Sequence, residues 1–241
     1  MKPFILFMLS ILITGCASTI GFPQKSGVFT REATLKTGYK IRYTISIPES
    51  FCRDKEMPLI LALHYGGEVT PFYAKEYLNI LVKPALKDLE AIIVAPDCPG
   101  KDWSNPESEK AVMELLNSIL TEYQIDQKRI LITGYSMGGI GTWYLASRHP
   151  EIFSAAVPMS AIPDLNETPV VKDLPFFVIH SRNDELLSID LLKKFIQMYK
   201  SKGGIIKFSE IDRIGHYDTY HFIKPLKEAV PWIQKMWIDS H

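Results

Sequence analysis

A tight, glycine-rich turn joins a buried strand to a helix in the middle of the chain. Residues 129–133 form a short apolar run with β-branched members, and residues 140–149 have the composition of a helix that stops at Pro150. Between them stands Gly-Tyr-Ser-Met-Gly-Gly, at residues 134–139. A Gly-x-Ser-x-Gly sequence at a strand-to-helix turn is the nucleophile elbow, which exposes a serine hydroxyl at a helix N-terminus. The motif therefore indicates strand–helix alternation and predicts Ser136 as a nucleophile.

Strand-like and helical segments alternate along the rest of the chain. After a predicted hairpin around residues 37–38, continuous apolar runs indicate strands that are buried on both faces. The predicted strands are 28–35, 40–47, 58–64, 91–95, 129–134, 154–159, 175–180 and 205–211. The predicted helices are 72–89, with a kink at Pro84, 106–123, 139–148, 188–202 and 222–238. This order predicts an α/β fold with a mostly parallel, eight-stranded sheet and helices on both faces.

Polar residues follow three of these strands at their carboxyl ends, where open parallel sheets bind ligands. A serine needs a base to take its proton, and the base needs an acid to orient it. Asp184 follows the seventh strand and His216 follows the eighth, which gives the chain order of nucleophile, acid and base found in α/β-hydrolases. The sequence therefore predicts Ser136, Asp184 and His216 as a catalytic triad.

Three further residues compete for the roles of acid and base. Asp164, after the sixth strand, is a weaker substitute for the acid. Glu185 is adjacent to Asp184 but is expected to point elsewhere on the turn, and His221 is the rival base. Because each member of the proposed triad follows its own strand, the pattern favours Asp184 and His216.

An acyl-transfer site also needs two backbone N–H groups that stabilise an oxyanion. The residue after the nucleophile, Met137, is expected to supply one of them. The second is expected from the loop at residues 64–68, with Gly66 as the first choice and Tyr65 as the alternative. His64 stands at the end of the third strand and is expected to brace this loop rather than to catalyse.

Five segments of the chain resemble one group of α/β-hydrolases. They are residues 63–68, 95–99 with Trp103, 126–129, 134–143, and 149–150 with 153–158. The group comprises carboxylesterases that are similar to feruloyl esterases and polyhydroxybutyrate depolymerases, and the resemblance spans residues 35–240. It implies an α/β-hydrolase fold and ester hydrolysis through an acyl-enzyme, without a metal or an organic cofactor. Tyr65 stands where the family usually has glycine, and its side chain is expected to narrow one side of the pocket.

Aromatic residues near the predicted cleft are candidates for its walls. Tyr65, Trp103 and Tyr135 are the expected substrate-binding residues, and Leu187 and Tyr217 are further candidates. The segment between the sixth and seventh strands is too short for a large lid, which favours an open, shallow site. Such a site suits short-chain, small aromatic or polysaccharide-linked esters better than a buried lipid.

The N-terminus has the pattern of a targeting segment. Lys2 precedes an apolar stretch over residues 4–13 that is too short to span a bilayer. The Ile-Thr-Gly-Cys that ends at Cys16 resembles a bacterial lipobox, in which the cysteine is lipidated; the alternative is an ordinary signal peptide followed by an incidental cysteine. Ala17 favours the outer membrane. We therefore expect an envelope protein that meets the membrane only through a lipid anchor on Cys16.

The remaining chain suits one domain. We expect a lipoprotein signal peptide over residues 1–15, a tether over residues 16–27 and a catalytic domain over residues 28–241. The 27 basic and 27 acidic residues indicate no basic face for nucleic acid, and no sequence pattern indicates an oligomeric state. The spacing of histidines and cysteines does not suggest a zinc site. A Cys52–Cys98 disulfide is not expected, because these residues lie at opposite ends of two parallel strands, roughly 20 Å apart.

Three functions compete on this evidence. A serine carboxylesterase that acts on short-chain or small aromatic esters is favoured by the elbow, acid and base together. A peptidase of the prolyl-oligopeptidase type is disfavoured, because too few residues precede the first strand to form that family's β-propeller. A catalytically silent, lipid-anchored binding protein is disfavoured because the triad is intact.

Overall fold

The computed structural model describes residues 21–164 and 168–239, whose strands form an eight-stranded sheet. The strands are β1 (Gly27–Thr34), β2 (Lys40–Ile47), β3 (Met57–Leu63), β4 (Ile92–Pro96), β5 (Ile125–Tyr135), β6 (Ala155–Met159), β7 (Phe176–Ser181) and β8 (Ile206–Ile211). Their order across the sheet is β1-β2-β4-β3-β5-β6-β7-β8. Strand β2 is antiparallel to β1 and β4, and the remaining pairs are parallel. The predicted α/β fold with a mostly parallel sheet is confirmed.

The central strands are apolar throughout because both of their faces are covered. In β3, Leu59, Leu61 and Leu63 belong to one hydrophobic cluster, whereas Ile60 and Ala62 belong to the cluster on the opposite face. Side chains alternate between the faces of a strand, so a strand buried on both sides needs apolar residues at every position. This double burial explains the continuous runs in the sequence.

Helices cover both faces of the sheet. They are α1 (Ala74–Tyr77), α2 (Lys83–Leu86), α3 (Pro106–Glu122), α4 (Met137–Arg148), α5 (Ile189–Ser201), α6 (Ile223–Glu228) and α7 (Val230–Asp239). Helices α3, α4 and α5 pack on one face, and α1, α2, α6 and α7 pack on the other. None of the helices in the described part of the chain is long and apolar enough to cross a membrane.

Two predicted helices are interrupted in the structure. The predicted helix 72–89 consists of α1, a π-helical turn at Leu78–Val82, α2 and a 3₁₀ turn at Lys87–Leu89. Pro84 has no N–H to donate to the carbonyl one turn earlier, which accounts for the irregular hydrogen bonding around it. The predicted helix 222–238 is likewise divided into α6 and α7, with Pro231 in the first turn of α7.

Strand β5 begins at Ile125, four residues earlier than the predicted strand. Its first residue pairs with Met57, and the register then shifts so that Leu59 pairs with Ile130. The shift accommodates the polar residues 126–129, where Asp126 accepts a hydrogen bond from the side chain of Arg129 at 2.6 Å. The polar residues at this bulge interrupt the apolar run on which the prediction depended.

The described part of the expected tether packs against the domain. Phe22 meets the Tyr123 ring edge-on at 5.9 Å, Pro23 is buried, and the Tyr123 hydroxyl donates a hydrogen bond to the Pro23 carbonyl at 2.8 Å. These contacts fix the chain beside the start of β5. The expected signal peptide and Cys16 lie outside the described residues.

Cys52 and Cys98 are both free thiols. Cys52 precedes β3 and Cys98 follows β4, and these strands are parallel neighbours, so the two residues lie at opposite ends of the pair. Burial raises the pKa of the Cys98 thiol to about 11, so this thiol is protonated and unreactive at neutral pH.

Candidate active site

Ser136 occupies a strained turn between β5 and α4. Its φ of 52° and ψ of −117° lie in a region that non-glycine residues seldom adopt, at a cost of about 1–3 kcal/mol. The Ser136 N–H donates to the Met159 carbonyl at 3.0 Å, and its carbonyl accepts from the Ile140 N–H at 2.9 Å. These bonds to β6 and α4 hold the turn and place the side chain at the helix N-terminus.

The glycines of the elbow are required by close approach of the backbone. A Cβ atom at Gly134 would overlap the Gly138 carbonyl, and one at Gly138 would overlap the Leu63 carbonyl. Strand β5, helix α4 and strand β3 therefore meet without side chains between them. The motif in the sequence is explained by this packing.

The structure brings the three predicted triad residues together. Ser136 Oγ lies 2.8 Å from His216 Nε2, and His216 Nδ1 lies 2.8 Å from Asp184 Oδ2. The other carboxylate oxygen of Asp184 accepts the N–H groups of Leu186 and Leu187 at 3.0 and 2.9 Å. Because Nδ1–H donates a hydrogen bond to the carboxylate, Nε2 is the nitrogen that is free to accept a proton from the serine.

The rival residues are placed elsewhere. Glu185 accepts the backbone N–H of His216 at 2.8 Å rather than the ring, as expected for a side chain that points away from the imidazole. His221 is exposed in a 3₁₀ turn (Thr219–Phe222), where its N–H donates to the Asp218 carbonyl. Asp164 is exposed after β6, and Nδ1 of His216 bonds to the carboxylate after β7 instead.

A second histidine lies beside the acid. His180, near the end of β7, is completely buried, and its Nε2 donates to the Leu187 carbonyl at 2.9 Å. Burial lowers the pKa of His180, so the ring is neutral at physiological pH. The same Nε2 lies 3.8 Å from Asp184 Oδ2, and both side chains are fully buried. His180 lies within an apolar strand, so no sequence pattern marks it as a neighbour of the acid.

The two residues predicted to donate to the oxyanion lie close together. Met137 is the first residue of α4, so its N–H has no acceptor within the helix. A Cβ atom at Gly66 would lie 3.8 Å from the Met137 side chain, which places this loop against the helix N-terminus. Tyr65 and Gly66 both line the cavity that contains Ser136.

His64 braces that loop as expected. Its Nδ1 bonds to the Tyr65 carbonyl at 2.6 Å, and its Nε2 accepts the Cys98 N–H at 3.0 Å. The Trp103 indole N–H donates to the His64 carbonyl at 2.9 Å. Burial lowers the pKa of His64 to about 4, partly opposed by the bond to Tyr65, so the ring is neutral and holds both bonds at neutral pH.

The cavity at the triad has a volume of about 410 Å³ and is lined mainly by polar and aromatic residues. The lining residues are Tyr65, Gly66, Tyr135, Ser136, Leu186, His216, Tyr217 and Thr219. Tyr217 and Leu186 are 76% and 54% exposed and form the rim. Tyr135 is 1% exposed and forms the floor, where its hydroxyl donates to the His216 carbonyl at 2.7 Å.

Trp103 does not line this cavity, contrary to the expectation. It is fully buried, with its ring edge-on to His64 at 5.0 Å, and a Cβ at Gly141 would overlap it. The indole therefore fills the space between α4 and the loop after β3. Leu187 is also absent from the lining, and its neighbour Leu186 takes that place.

No group of three or more histidine, cysteine, aspartate or glutamate residues that could hold a metal occurs within residues 21–164 and 168–239. The absence of a metal or organic cofactor from the reaction stays a prediction from the sequence.

Comparison with known proteins gives the family. The Esterase family, described as "Putative esterase", matches residues 36–237, and the chain belongs to it. Together with the sheet, this membership defines an α/β-hydrolase fold of the Esterase family, with the predicted triad at its candidate site.

Curated relatives agree with this class at low identity. The chain is 27% identical over 214 residues to "Probable feruloyl esterase C" of Aspergillus terreus, covering 79% of this chain and 74% of the relative. It is 26% identical over 150 residues to the bifunctional acetylxylan esterase/xylanase XynS20E of Neocallimastix patriciarum, covering 60% of this chain. That match spans 22% of the Neocallimastix protein.

Solved structures share the fold. A thermostable esterase superposes with a TM-score of 0.73 at 25% identity, covering 86% of this chain and 62% of the other. A ferulic acid esterase superposes with a TM-score of 0.71 at 22% identity, covering 88% of this chain and 99% of the other.

Proposed function

We propose that the protein hydrolyses esters through an acyl-enzyme formed on Ser136. The observation that carries this proposal is the continuous hydrogen-bonded series from Ser136 Oγ through His216 to Asp184. His216 Nε2 takes the serine proton as Oγ attacks the ester carbonyl, and then gives it to the departing alcohol. A water molecule, deprotonated by the same nitrogen, releases the acid. Throughout, the Asp184 carboxylate accepts a hydrogen bond from His216 Nδ1–H, which keeps the ring oriented.

The oxyanion of each tetrahedral intermediate is proposed to bind two backbone N–H groups, those of Met137 and Gly66. Two observations support this proposal: Met137 lies at the N-terminus of α4, and Gly66 lies close to the side chain of Met137. The Tyr65 N–H is the alternative to that of Gly66. Bracing by His64 keeps this loop in place, because the ring bonds both the loop and Cys98.

The proposed substrates are esters of short-chain or small aromatic acids, including acids linked to polysaccharide. A cavity of about 410 Å³ with Tyr65 and Tyr135 in its walls can hold one small acyl group or one aromatic ring. The names of the relatives, a feruloyl esterase and an acetylxylan esterase, support the same range. The exposed Tyr217 at the rim leaves room for a larger alcohol portion outside the cavity.

Replacement of the nucleophile tests the proposal. We expect Ser136→Ala to fold normally and to lower kcat for p-nitrophenyl acetate and methyl ferulate by about 10³-fold or more, because the nucleophile is lost. Ser201→Ala, at an exposed position on α5, is the matched control and should keep wild-type rates. Substantial turnover by Ser136→Ala would contradict the proposal. Cleavage of a proline-containing peptide anilide as fast as these esters would favour a peptidase.

We also propose that a lipid on Cys16 anchors the protein in the cell envelope, at the outer membrane, with residues 1–15 removed as a signal peptide. The support comes from the sequence pattern before Cys16 and from Ala17 after it. Catalysis by the domain does not depend on this anchor.

A further inference from the structure

The backbone of His216 is held at both of its polar groups by side chains from two other segments of the chain. Its N–H donates to Glu185 Oε2 at 2.8 Å, and its carbonyl accepts the Tyr135 hydroxyl at 2.7 Å. Each of these residues is the sequence neighbour of another triad member, since Tyr135 precedes Ser136 and Glu185 follows Asp184. The three predicted catalytic residues are thus joined through main-chain bonds as well as through the imidazole ring.

The segment that carries His216 needs such support. It leaves β8, an edge strand of the sheet, at Ile211 and has no regular secondary structure before the 3₁₀ turn at Thr219. Arg213 has a φ of 64°, and Tyr217 is 76% exposed. Irregular surface segments are more mobile than the elements they connect. The hydrogen bond from His216 Nδ1–H to Asp184 orients the ring, and bonds at Arg213 and Ile214 hold the chain before it. The N–H and carbonyl of His216 itself are held by Glu185 and Tyr135.

Tyr135 is suited to hold the carbonyl of His216. Its side chain is 1% exposed, and its ring packs edge-on against Phe222 at 4.8 Å and Tyr65 at 6.4 Å. Burial raises the pKa of Tyr135 well above its ordinary value, so its hydroxyl remains a proton donor. Because Tyr135 is the last residue of β5, this bond ties the base directly to the strand that carries the nucleophile.

We propose that Tyr135 and Glu185 are positioning residues that set the distance between His216 Nε2 and Ser136 Oγ. Tyr135 fixes the carbonyl side of His216 from the elbow, and Glu185 fixes its N–H side from the loop of the acid. A proton transfer across 2.8 Å is sensitive to displacements well below 1 Å, so loss of either bond lowers the rate of the chemical step. The inference rests on the proposed function of Ser136.

Isosteric substitution tests the carbonyl bond. Tyr135→Phe removes the hydroxyl and keeps the ring that forms the cavity floor. We expect kcat for p-nitrophenyl acetate, per active site titrated with a fluorophosphonate, to fall by about 10- to 100-fold. KM should change by less than about twofold, since the cavity wall is unchanged. Tyr220→Phe, which removes the hydroxyl of a 68% exposed tyrosine, is the matched control and should match the wild type.

Substitution at the exposed Glu185 tests the N–H bond independently. Glu185→Ala should lower kcat per titrated site in the same manner, and Glu185→Gln should restore most of it because the amide oxygen still accepts the His216 N–H. Glu49→Ala, at an exposed glutamate after β2, is the control. A purely structural role would instead lower the titratable fraction or the melting temperature and leave kcat per site unchanged.

Two results separate this inference from the proposed function. The first result is that the wild-type protein is active and that Tyr135→Phe and Glu185→Ala both keep kcat per titrated site within about twofold of the wild-type value. This result would overturn the positioning role alone. Wild-type protein that turns over no ester and takes up no fluorophosphonate at Ser136 would overturn the proposed function first. If Tyr135→Phe does not fold, the comparison of Glu185→Ala with Glu185→Gln decides, because that side chain is exposed.

Discussion

At the scale of single residues, two buried neutral histidines, His64 and His180, lie beside the candidate site. His64 uses both ring nitrogens on neighbouring backbone groups and has a pKa of about 4, whereas an exposed histidine titrates near 6.5. Burial also lowers the pKa of His180. Both rings must therefore remain uncharged in the folded protein at pH values where the unfolded chain would bind protons.

This difference makes stability depend on pH. Between about pH 6.5 and pH 4 the unfolded chain holds a proton on His64 that the folded protein does not, so the free energy of unfolding falls as the pH falls. The loss from His64 alone reaches about 3 kcal/mol at the acid end of this window. Urea denaturation at a series of pH values measures the slope of the unfolding free energy against pH. We expect this slope to be smaller in His64→Gln than in the wild type, by up to about 1.4 kcal/mol per pH unit. An unchanged slope would show that His64 is protonated in the folded state.

The grouping of individual residues at the candidate site was predictable from the sequence where each residue follows its own strand. Ser136, Asp184 and His216 could be selected because the carboxyl ends of parallel strands share one edge of the sheet. Trp103 could not be placed in the same way, because an aromatic residue in a loop has the same pattern whether it lines a cavity or fills the core. Tyr135, predicted as a substrate-binding residue, does line the cavity, but no sequence pattern indicated the bond from its hydroxyl to the backbone of His216.

At the scale of elements, the elbow is a crossing of β3, β5 and α4 that allows no side chains between the backbones. A Cβ at Gly138 would overlap the carbonyl of Leu63, and a backbone carbonyl in a central strand cannot move aside. The local strain at Ser136 is therefore maintained by packing around it.

Alanine at Gly138 tests this packing. We expect Gly138→Ala to lower the free energy of unfolding by about 3 kcal/mol or to prevent folding, because the methyl group forces the helix away from the sheet. Gly66→Ala is the matched comparison, since a Cβ there would lie 3.8 Å from Met137, an ordinary contact, and it should cost less than about 1 kcal/mol. Equal stability of the two variants in urea denaturation would contradict the packing argument.

The type and order of the elements were predictable, whereas several of their limits were not. Continuous apolar runs identified the central strands because these strands are buried on both faces. The start of β5 was missed because a bulge places polar residues inside the strand. The π-helical turn before Pro84 was missed because the apolar spacing of the segment is helical on either side of it.

At the scale of the whole molecule, the docked N-terminal segment and the candidate site lie at opposite ends of the sheet. Phe22 and Pro23 contact Tyr123, just before β5 starts, and Ser136 follows the last residue of β5. The strand has 11 residues, which corresponds to about 35 Å along the sheet. The segment that leads from the proposed lipid on Cys16 therefore joins the domain at the end of the sheet opposite the candidate site.

Fractionation tests the anchor. We expect the wild-type protein in the membrane fraction and Cys16→Ser in the soluble fraction, because stable attachment requires the lipid chains on that cysteine. Ser18→Ala is the control and should remain with the membrane. Wild-type protein found wholly in the soluble fraction would contradict the anchor and would leave the esterase assignment unchanged.

Covalent labelling tests most directly whether Ser136, activated by His216, is the nucleophile of a serine esterase. Folded wild-type protein is treated with a fluorophosphonate, and the modified residue is identified by peptide mass spectrometry. We predict one adduct per chain, located on Ser136, with labelling of His216→Ala at least about 10²-fold slower because the serine loses its base. Folded protein that remains unlabelled, or that carries the adduct on another residue, would contradict the account.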